Sequence, residues 1–318
     1  MRNHAQGKIA VVALGGNAIT REFEEGNIYQ QFANTRRSLL GVAQLIEAGY
    51  RLAITHGNGP QVGNSLIRVE ATRDILPPIP LGVLVADLEG GMGYMIEQSL
   101  QNKLFNRGID REVVTLLAQV IVDKDDPSIL NPTKFVGPFY RQDDIENLTK
   151  ARNYTIKEDS GRGFRRVVPS PRPRRIVEAR IIKELVHEGV IVITAGGGGI
   201  PVYIEDDGRY EGVDAVVDKD LTSGILAADI EAEELYILTS VEKVALNFGK
   251  KDMKVMSQMT TAEAKAHLQE GQFPPGNMGP KIEAAIRFLE NGGKKVIITS
   301  VDKLPDALEG ATGTCILP

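Results

Sequence analysis

The stretch Val190-Ile-Val-Ile-Thr-Ala-Gly-Gly-Gly-Gly-Ile-Pro201 joins a β-branched apolar run directly to a row of glycines and a proline. The run Val190 to Ile193 predicts a strand buried on both faces, as in a parallel sheet. The glycines Gly196 to Gly199 can adopt positive φ angles and let backbone N–H groups approach a ligand closely. A tight connection between strand and loop is the other interpretation, since glycine-rich turns are common connectors.

Composition and charge argue against several classes of protein. A chain of 318 residues can bury a large core, roughly 75% of its extended surface. Its 42 acidic and 37 basic residues give a net charge of −5, which argues against a general nucleic-acid or membrane-surface binder. Cys315 is the only cysteine, so neither a disulfide framework nor a thiolate metal cluster is expected. The first apolar run, Ile9 to Leu14, is too short for a signal sequence, and we expect a soluble cytoplasmic protein.

Apolar runs with the character of strands alternate with segments of helical period along the chain. This alternation predicts an α/β fold with a mostly parallel sheet. The expected strands include Lys8–Leu14, Arg51–Thr55, Val113–Val122, Val190–Ile193, Leu235–Thr239, Lys294–Thr299 and Thr314–Leu317. The expected helices include Tyr29–Ala48, Asn64–Asp74, Val83–Asn106, Arg174–Glu188, Thr260–Leu268, one from Val216-Val-Asp-Lys-Asp220 to Ala228, and one from Asn277 to Glu290.

The region from Asp123 to about Arg175 has scattered charge, several prolines and little sustained periodicity. We interpret residues 123–175 as a lobe inserted into a single domain that spans residues 1–318. Its end, Gly161-Arg-Gly-Phe-Arg-Arg-Val-Val-Pro-Ser-Pro-Arg-Pro173, combines arginines with prolines that favour an extended path. This end is either a solvated connector or an anion-binding flap over an active site.

Three glycine loops share one pattern, in which an apolar strand is followed by glycines and then by the next element. They are Gly15-Gly16-Asn17, Gly57-Asn58-Gly59 and Gly196 to Gly199. In a parallel sheet the carboxyl ends of the strands lie at one edge, so the three loops are expected to meet in one crevice. Their convergence indicates a site that binds phosphate through backbone N–H groups and helix N-termini.

Two other phosphate motifs fit the sequence less well. Gly57-Asn-Gly-Pro-Gln-Val-Gly63 is close to a dinucleotide fingerprint, but Pro60 inside the loop and the other glycine loops weaken that interpretation. The sequence contains no Walker-type phosphate loop of the form G-x-x-x-x-G-K-[ST]. Any cations for phosphoryl transfer must therefore come from elsewhere in the chain.

Candidate cations are Lys134, Lys219 and Lys281, which stand at loop or helix ends. Phosphoryl transfer depends mainly on alignment and on neutralising the charge of the transferred group, a task that suits lysine. Lys219 lies between Asp218 and Asp220, so it could instead form a surface ion pair worth under about 1 kcal/mol. Lys281 stands at a helix N-terminus, where the macrodipole disfavours a cation unless an anion is nearby.

Eight motifs lie in order along nearly the whole chain: Ala13-Leu-Gly-Gly-Asn-Ala18, His56-Gly-Asn-Gly-Pro-Gln-Val-Gly63, Asn131-Pro-Thr-Lys134, Glu158-Asp-Ser-Gly-Arg-Gly-Phe-Arg165, Val168-Pro-Ser-Pro171, Gly196-Gly-Gly-Gly-Ile-Pro201, Asp218-Lys-Asp220 and Met278-Gly-Pro-Lys-Ile-Glu-Ala-Ala285. They resemble the motifs of the carbamate kinase family, within the amino-acid kinase superfamily. The resemblance implies a three-layer αβα sandwich around a mainly parallel sheet, a small protruding lobe and a homodimer. It also implies reversible phosphoryl transfer between ATP plus carbamate and ADP plus carbamoyl phosphate, with Mg²⁺ carried on the nucleotide rather than in a protein metal site.

The resemblance also implies roles for individual residues. The transferred phosphoryl group and carbamate would be held by Gly15, Gly16, Asn17, Gly57, Asn58 and Gly59, with Gly197 and Gly198 as one wall. Lys134, Lys219 and Lys281 would form a cationic clamp, with Asp218 or Asp220 orienting Lys219. No general base is expected, because the attacking oxygen of carbamate is already anionic. The nucleotide would contact Lys219, Ala245, Asn247, Phe248, Met278, Gly279 and Lys281. In the lobe, Arg162 and Arg165 would belong to a flap over the substrate.

Four positions depart from the pattern of the family that the chain resembles. Gly82 and Glu89 stand where an Asp and a Gln are usual, Phe135 replaces a proline, and Met95 replaces an aromatic residue. These changes keep open an enzyme of the same fold that phosphorylates another small carboxylate or carbamate-like acceptor. A non-catalytic nucleotide-binding sensor is the further alternative.

Overall fold

The computed structural model of the protein describes residues 7–21, 24–152, 154–159 and 163–318. The strands are β1 (Ile9–Leu14), β2 (Arg51–His56), β3 (Val113–Leu116), β4 (Gln119–Ile121), β5 (Lys134–Tyr140), β6 (Thr155–Glu158), β7 (Phe164–Val168), β8 (Arg175–Ile176), β9 (Ile191–Thr194), β10 (Ile200–Ile204), β11 (Tyr210–Gly212), β12 (Glu234–Thr239), β13 (Val244–Leu246), β14 (Lys254–Met256), β15 (Gln258–Thr260), β16 (Lys295–Ser300) and β17 (Thr314–Leu317). The helices are α1 (Ile28–Glu47), α2 (Gly59–Ala71), α3 (Leu81–Phe105), α4 (Pro127–Leu130), α5 (Ile145–Arg152), α6 (Ala179–His187), α7 (Lys219–Asp229), α8 (Thr261–Gln269), α9 (Met278–Glu290) and α10 (Leu304–Leu308).

The central sheet has eight strands in the order β15-β17-β16-β12-β1-β2-β9-β3. All of its pairings are parallel except that of β16 with β17. Helices cover both faces, so successive residues of a strand pack into different cores. Along β1, Val11 joins the core beneath α6, α7 and α9, whereas Val12 joins the core beneath α1 and α3. The predicted α/β fold with a mainly parallel sheet between helical layers is confirmed.

Several predicted boundaries were wrong. The single strand expected at Val113–Val122 is two strands in two sheets, because β4 leaves the central sheet and pairs with β10 and β8. Helix α2 begins at Gly59 rather than Asn64, since Pro60 in the first turn needs no backbone N–H. The helix expected from Arg174 begins only at Ala179, because residues 175–176 form strand β8.

Within residues 123–175, strands β5, β7 and β6 form a separate three-stranded antiparallel sheet. Strand β5 packs on α2, which begins at the second glycine loop. Lys134 is the first residue of β5 and thus stands at the junction of this sheet with the rest of the molecule. The boundaries 123–175 of the lobe remain a prediction. Among the described residues, none of the helices is long and apolar enough to span a membrane.

Candidate active site

A crevice of ≈ 340 Å³ opens at the carboxyl ends of β1, β2 and β12. Many of the residues singled out from the sequence line it: Gly15, Gly16, Gly57, Asn58, Gly59, Lys134, Gly197, Asp218, Lys219, Asp220 and Lys281. The backbone of Asn17 lies beside it in the short 3-10 turn Gly16–Ala18. The parallel sheet thus brings together loops that are far apart in the sequence.

Some predicted residues are placed differently. Gly198 lies behind the wall of the crevice, where an added Cβ would be 2.5 Å from the carbonyl oxygen of Val217. Arg165 lies in the lobe, where its guanidinium donates to the Asp159 carboxylate at 3.1 Å and to the carbonyl of Gly137 at 3.2 Å. It lines a neighbouring cavity that shares Gly59 with the crevice. Arg162 lies outside the described residues.

Three helices begin at the crevice. Helix α2 starts at Gly59, α7 starts at Lys219, and α9 starts beside Asn277, and each of these residues lines the crevice. Helix N-termini carry partial positive charge and unpaired N–H groups, so they favour anions. The crevice is therefore built to receive negative charge at three points.

Asp220 holds two lysines side by side in this crevice. Its carboxylate lies 2.9 Å from the Lys219 ammonium through Oδ1 and 2.7 Å from the Lys281 ammonium through Oδ2. Burial alone would raise the pKa of Asp220, but the two lysines lower it to about 2. Asp220 is thus the anion that stabilises Lys281 near a helix N-terminus. The surface ion pair considered for Lys219 is not observed, since the Lys219 side chain is only 10% exposed.

Each of the two lysines also contacts a backbone carbonyl. Lys219 donates to the carbonyl of Leu14 at 3.2 Å, and Lys281 donates to that of Asn277 at 3.3 Å. An ammonium group has three N–H donors. Within the described residues, Lys281 donates to two acceptors, whereas Lys219 donates to one and forms an ion pair with Asp220. Each lysine therefore has an N–H donor left for a ligand. Burial lowers the pKa of Lys219.

Asp218 has a different task from Asp220. Its side chain caps α7 by accepting from the backbone N–H groups of Asp220 at 2.9 Å and Leu221 at 3.3 Å. Its other oxygen lies 3.7 Å from the ammonium of Lys134. Asp218 therefore fixes the start of α7 and attracts the third lysine from the lobe.

The glycine row forms a tight turn whose backbone only glycine adopts easily. Gly197, Gly198 and Gly199 all have positive φ, and an added Cβ at Gly197 would lie 2.0 Å from Nδ2 of Asn58. The Asn58 side chain is buried, and its Nδ2 has no hydrogen-bond partner within the described residues. A donor in this position can serve an anionic ligand in the crevice.

An apolar hollow adjoins the crevice and shares Thr239, Ser240 and Asn277 with it. Ala245, Phe248 and Met278 line this hollow together with Val241, Lys243, Phe273 and Pro274. Asn247 stands beside it with φ 52°, and its side chain donates to Asp252 at 2.8 Å. Gly279 packs against the carbonyl of Pro274, 3.1 Å from the position of an added Cβ.

The sequence reasoning missed Thr239, Ser240, Gly276 and Asn277, which line the crevice. Thr239 ends β12, a neighbour of β1 in the parallel sheet. The same strand-end argument that found the glycine loops could have found Thr239 and Ser240. Gly276 and Asn277 precede α9, and the prediction that a helix beginning at Asn277 carries Lys281 into the site could have found them too.

The four departures from the family pattern lie at different distances from the crevice. Gly82 near the start of α3 donates its backbone N–H to Asp214 at 3.1 Å, and Met95 lies on the buried face of the same helix. The Phe135 ring lies 5.8 Å from the guanidinium carbon of Arg165 in the lobe. Glu89 alone lies directly behind the glycine turn, where it accepts from the N–H of Gly196 at 3.0 Å.

Residues 8–300 match the sequence profile of the Amino acid kinase family. The carbamate kinase of Pyrococcus horikoshii is 47% identical over 97% of this chain and 98% of its own length. The carbamate kinase-like protein YahI of Escherichia coli is also 47% identical, over 98% of this chain and 99% of its own. The structure of a carbamate kinase from Giardia lamblia bound to AMP-PNP superposes with a TM-score of 0.92 and 40% identity, over 98% of this chain and 99% of the other.

We predict that Asp220→Asn destabilises the protein at neutral pH, because two buried ammonium groups lose their shared counter-ion. The expected loss is about 3 kcal/mol, a fall in Tm on the order of 5 °C. The folded-state pKa of Asp220, about 2, lies below its ordinary value of 3.8, so its contribution is present above about pH 4 and is lost towards pH 2.

Thermal or urea unfolding at pH 7, 5 and 3 measures this effect. The difference from the unmodified chain should be full at pH 7 and smaller at pH 3. Asp302→Asn removes an exposed carboxylate that pairs with Arg21 and serves as the matched control. An Asp220→Asn variant as stable as this control at pH 7 would contradict the prediction.

Proposed function

This chain belongs to the amino acid kinase family, and we propose that within this family it is a carbamate kinase. It transfers the γ-phosphoryl group of ATP to carbamate and, in reverse, makes ATP from ADP and carbamoyl phosphate. The near-complete alignment with carbamate kinases supports this assignment.

The single observation that carries the mechanism is the pairing of Lys219 and Lys281 on Asp220 in the crevice. Two ammonium groups and one carboxylate leave a net single positive charge, fixed in position. In phosphoryl transfer, charge develops on the oxygens of the transferred group and of the leaving phosphate. We assign the remaining N–H donor of each lysine to these oxygens, where preorganised donors lower the barrier.

The acceptor end of the reaction is assigned to the loops Gly15–Asn17 and Gly57–Gly59. There the unpartnered Nδ2 of Asn58 and the N-terminus of α2 offer donors to carbamate and the phosphoryl group. The anionic oxygen of carbamate attacks the γ-phosphorus, the bond to the bridging oxygen of ADP breaks, and ADP leaves with that electron pair. No side chain has to remove a proton. Asp220, with a pKa of about 2, is ionised and poorly suited to act as a base at neutral pH.

The nucleotide end is assigned to the hollow beside the crevice. Ala245, Phe248 and Met278 present apolar surface to the adenine, and the shared residues Thr239, Ser240 and Asn277 lie between adenine and phosphates. Mg²⁺ would reduce the negative charge of the phosphates. Magnesium binds readily through substrate phosphates and one or two carboxylates. The crevice fits this arrangement, because the Asp218 carboxylate lines it beside the lysines.

The lobe supplies the third cation. Lys134 at the start of β5 lies 3.7 Å from Asp218, near enough for attraction and too far for a hydrogen bond. We propose that residues 123–175 act as one lobe that carries Lys134 to the transferred group. Arg165 belongs to the same lobe, but its guanidinium already forms an ion pair with Asp159.

The alternative is a kinase of the same fold with another small carboxylate acceptor. It is favoured by the Glu89 substitution behind the glycine turn and by an equal identity to a protein named only carbamate kinase-like. A non-catalytic nucleotide sensor is less well supported, because Lys134, Lys219 and Lys281 all line the crevice.

The proposal predicts that purified protein with Mg²⁺, ADP and carbamoyl phosphate forms ATP. Luminescent detection of ATP against a blank without protein measures it. Acetyl phosphate and other acyl phosphates, tested in parallel, distinguish a carbamate kinase from a kinase of the same fold with another acceptor. No ATP from carbamoyl phosphate would refute the carbamate kinase assignment, and ATP from a different acyl phosphate would establish the alternative.

A second prediction concerns Lys219→Met, which keeps the apolar stem and removes the charge. Activity should fall on the order of 10² to 10³ fold, as for the loss of one charge-stabilising donor. Lys303→Met is the control, because Lys303 is not part of the crevice lining and pairs with Asp306 at 2.8 Å. The melting curve of each variant should show a folded protein under assay conditions. A folded Lys219→Met variant with near-normal activity would remove Lys219 from the mechanism.

We also propose a cytoplasmic homodimer. Helices α1 and α3 pack together and expose Tyr29, Leu40 and Tyr94, an apolar face suited to a second copy of the chain. The lone cysteine fits a reducing compartment. Sedimentation equilibrium should give twice the chain mass of 34.6 kDa, and Tyr94→Lys should reduce the measured mass. A mass of one chain at micromolar protein would contradict the dimer.

A further inference from the structure

Glu89 is buried at the back of the crevice and has no part in the mechanism above. It lies in the middle of α3, and its Oε1 accepts from the backbone N–H groups of Gly196 at 3.0 Å and Ala118 at 3.3 Å. Gly196 opens the glycine turn, and Ala118 stands where the chain leaves the central sheet for β4. One carboxyl oxygen therefore ties the glycine turn to helix α3.

The turn is held tightly between neighbours. An added Cβ at Gly196 would lie 2.3 Å from Nε2 of His56 and 3.2 Å from Cγ of Glu89, so both side chains contact the turn at this point. At the far end of the turn, Thr222 of α7 donates its hydroxyl to the carbonyl of Gly198 at 3.0 Å. Between these anchors, Gly197 faces the Asn58 side chain.

We propose that Glu89 is a positioning residue for phosphoryl transfer, which holds the glycine turn against Asn58 and does so as an uncharged acid. The position of Asn58 depends on the turn, because the side chain and Gly197 are in contact. A shift of the turn would therefore move a donor that we assign to the reacting groups. The kinetic part of this inference rests on the proposed function; the charge state of Glu89 does not.

Several observations favour the uncharged form. Burial raises the pKa of Glu89 to about 8, despite the opposing effect of the Gly196 and Ala118 N–H groups, and the negative charge of Glu178 raises it further. Its Oε2 is buried and has no hydrogen-bond partner in the part of the chain that is described. An unpaired charge there would be poorly solvated. It would also place negative charge behind the wall of a phosphate site.

Among the residues that the structure describes, the groups around Glu89 do not offer it a positive partner. His56, which contacts the same turn, is held neutral at neutral pH because burial lowers its pKa to about 4. The Nδ1–H of His56 donates to the Gly57 carbonyl at 3.4 Å, so its Nε2 is an acceptor. The neighbouring strands β3, β4 and β9 carry no titratable side chain, and β10 carries only Tyr203. The adjacent helices α1 and α2 carry the cations Arg36, Arg37 and Arg68, and all three are exposed.

Two substitutions of Glu89 separate its hydrogen bonding from its charge. Glu89→Gln keeps the acceptor oxygen and can never ionise, whereas Glu89→Leu leaves the N–H groups of Gly196 and Ala118 without their acceptor. Glu178→Gln is the matched control, because Glu178 accepts from the next backbone N–H, that of Gln119 at 2.7 Å. Initial rates of ATP formation from pH 6 to 9.5, with kcat and KM determined separately, form the first measurement.

At pH 7 we expect Glu89→Gln to keep kcat within about threefold of the unmodified enzyme, and Glu89→Leu to lose about tenfold or more. The unmodified enzyme should lose activity with a midpoint near pH 8 that Glu89→Gln lacks. The Glu178→Gln control should keep this loss of activity but with its midpoint at a lower pH, because the negative charge of Glu178 helps to raise the pKa of Glu89. Coincident pH profiles for the unmodified enzyme and Glu89→Gln would overturn the uncharged role. Full kcat for a folded Glu89→Leu would overturn the positioning role.

Melting curves across the same pH range test the charge state without any activity. The folded pKa of Glu89 lies above its ordinary value of 4.5, so the unmodified protein should lose stability relative to Glu89→Gln between about pH 4.5 and 8. Above about pH 8 the difference should be constant. A difference in Tm that does not change with pH would overturn the inference. If no ATP is formed, the proposed function fails while this measurement still decides the charge of Glu89.

Discussion

The carboxylate of Asp220 is the interaction on which the crevice depends. Two ammonium groups beside the same buried site repel each other, and each prefers water unless an anion is within reach. Asp220 pairs with both ammonium groups, one through each carboxylate oxygen. Lys219 also donates to the carbonyl of Leu14 at the end of β1. The arrangement joins α7, α9 and the central strand, and it leaves an excess of positive charge at a point where three helices begin.

The glycine turn is the second constraint on the crevice, because its backbone leaves no room for side chains. Lys219 and Lys281 contribute charge, whereas Gly197 contributes the absence of a side chain. The Asn58 amide occupies the space that a Cβ at Gly197 would need. Positive φ angles at three successive residues would strain any other residue type. Anchors on both sides, Glu89 at one end and Thr222 at the other, keep this otherwise flexible sequence in one conformation.

Much of this arrangement could be predicted from the sequence because its signals are local. Buried parallel strands are marked by β-branched runs such as Ile191–Thr194, and their carboxyl ends must share one edge of the sheet, so the glycine loops had to meet. No such signal marks the break within the predicted strand Val113–Val122, since Leu117 and Ala118 are not typical turn residues. Contacts between residues far apart in the sequence could not be predicted either. Nothing near Asp220 in the sequence indicates that it would pair with Lys281, and nothing near Glu89 indicates that it would accept a hydrogen bond from Gly196.

The position of β1 in the middle of the sheet has a consequence for how the chain folds during synthesis. Strand β1 is made before both of its neighbours in the sheet, and one of them is β12, which begins only at Glu234. Until the ribosome has passed that point, one edge of β1 has no strand beside it, and an open edge is prone to pair with other chains. The lysine pair on Asp220 requires a still later residue, Lys281. A nascent chain therefore has no complete crevice until Lys281 has been made, and substrate can stabilise the fold only after that point.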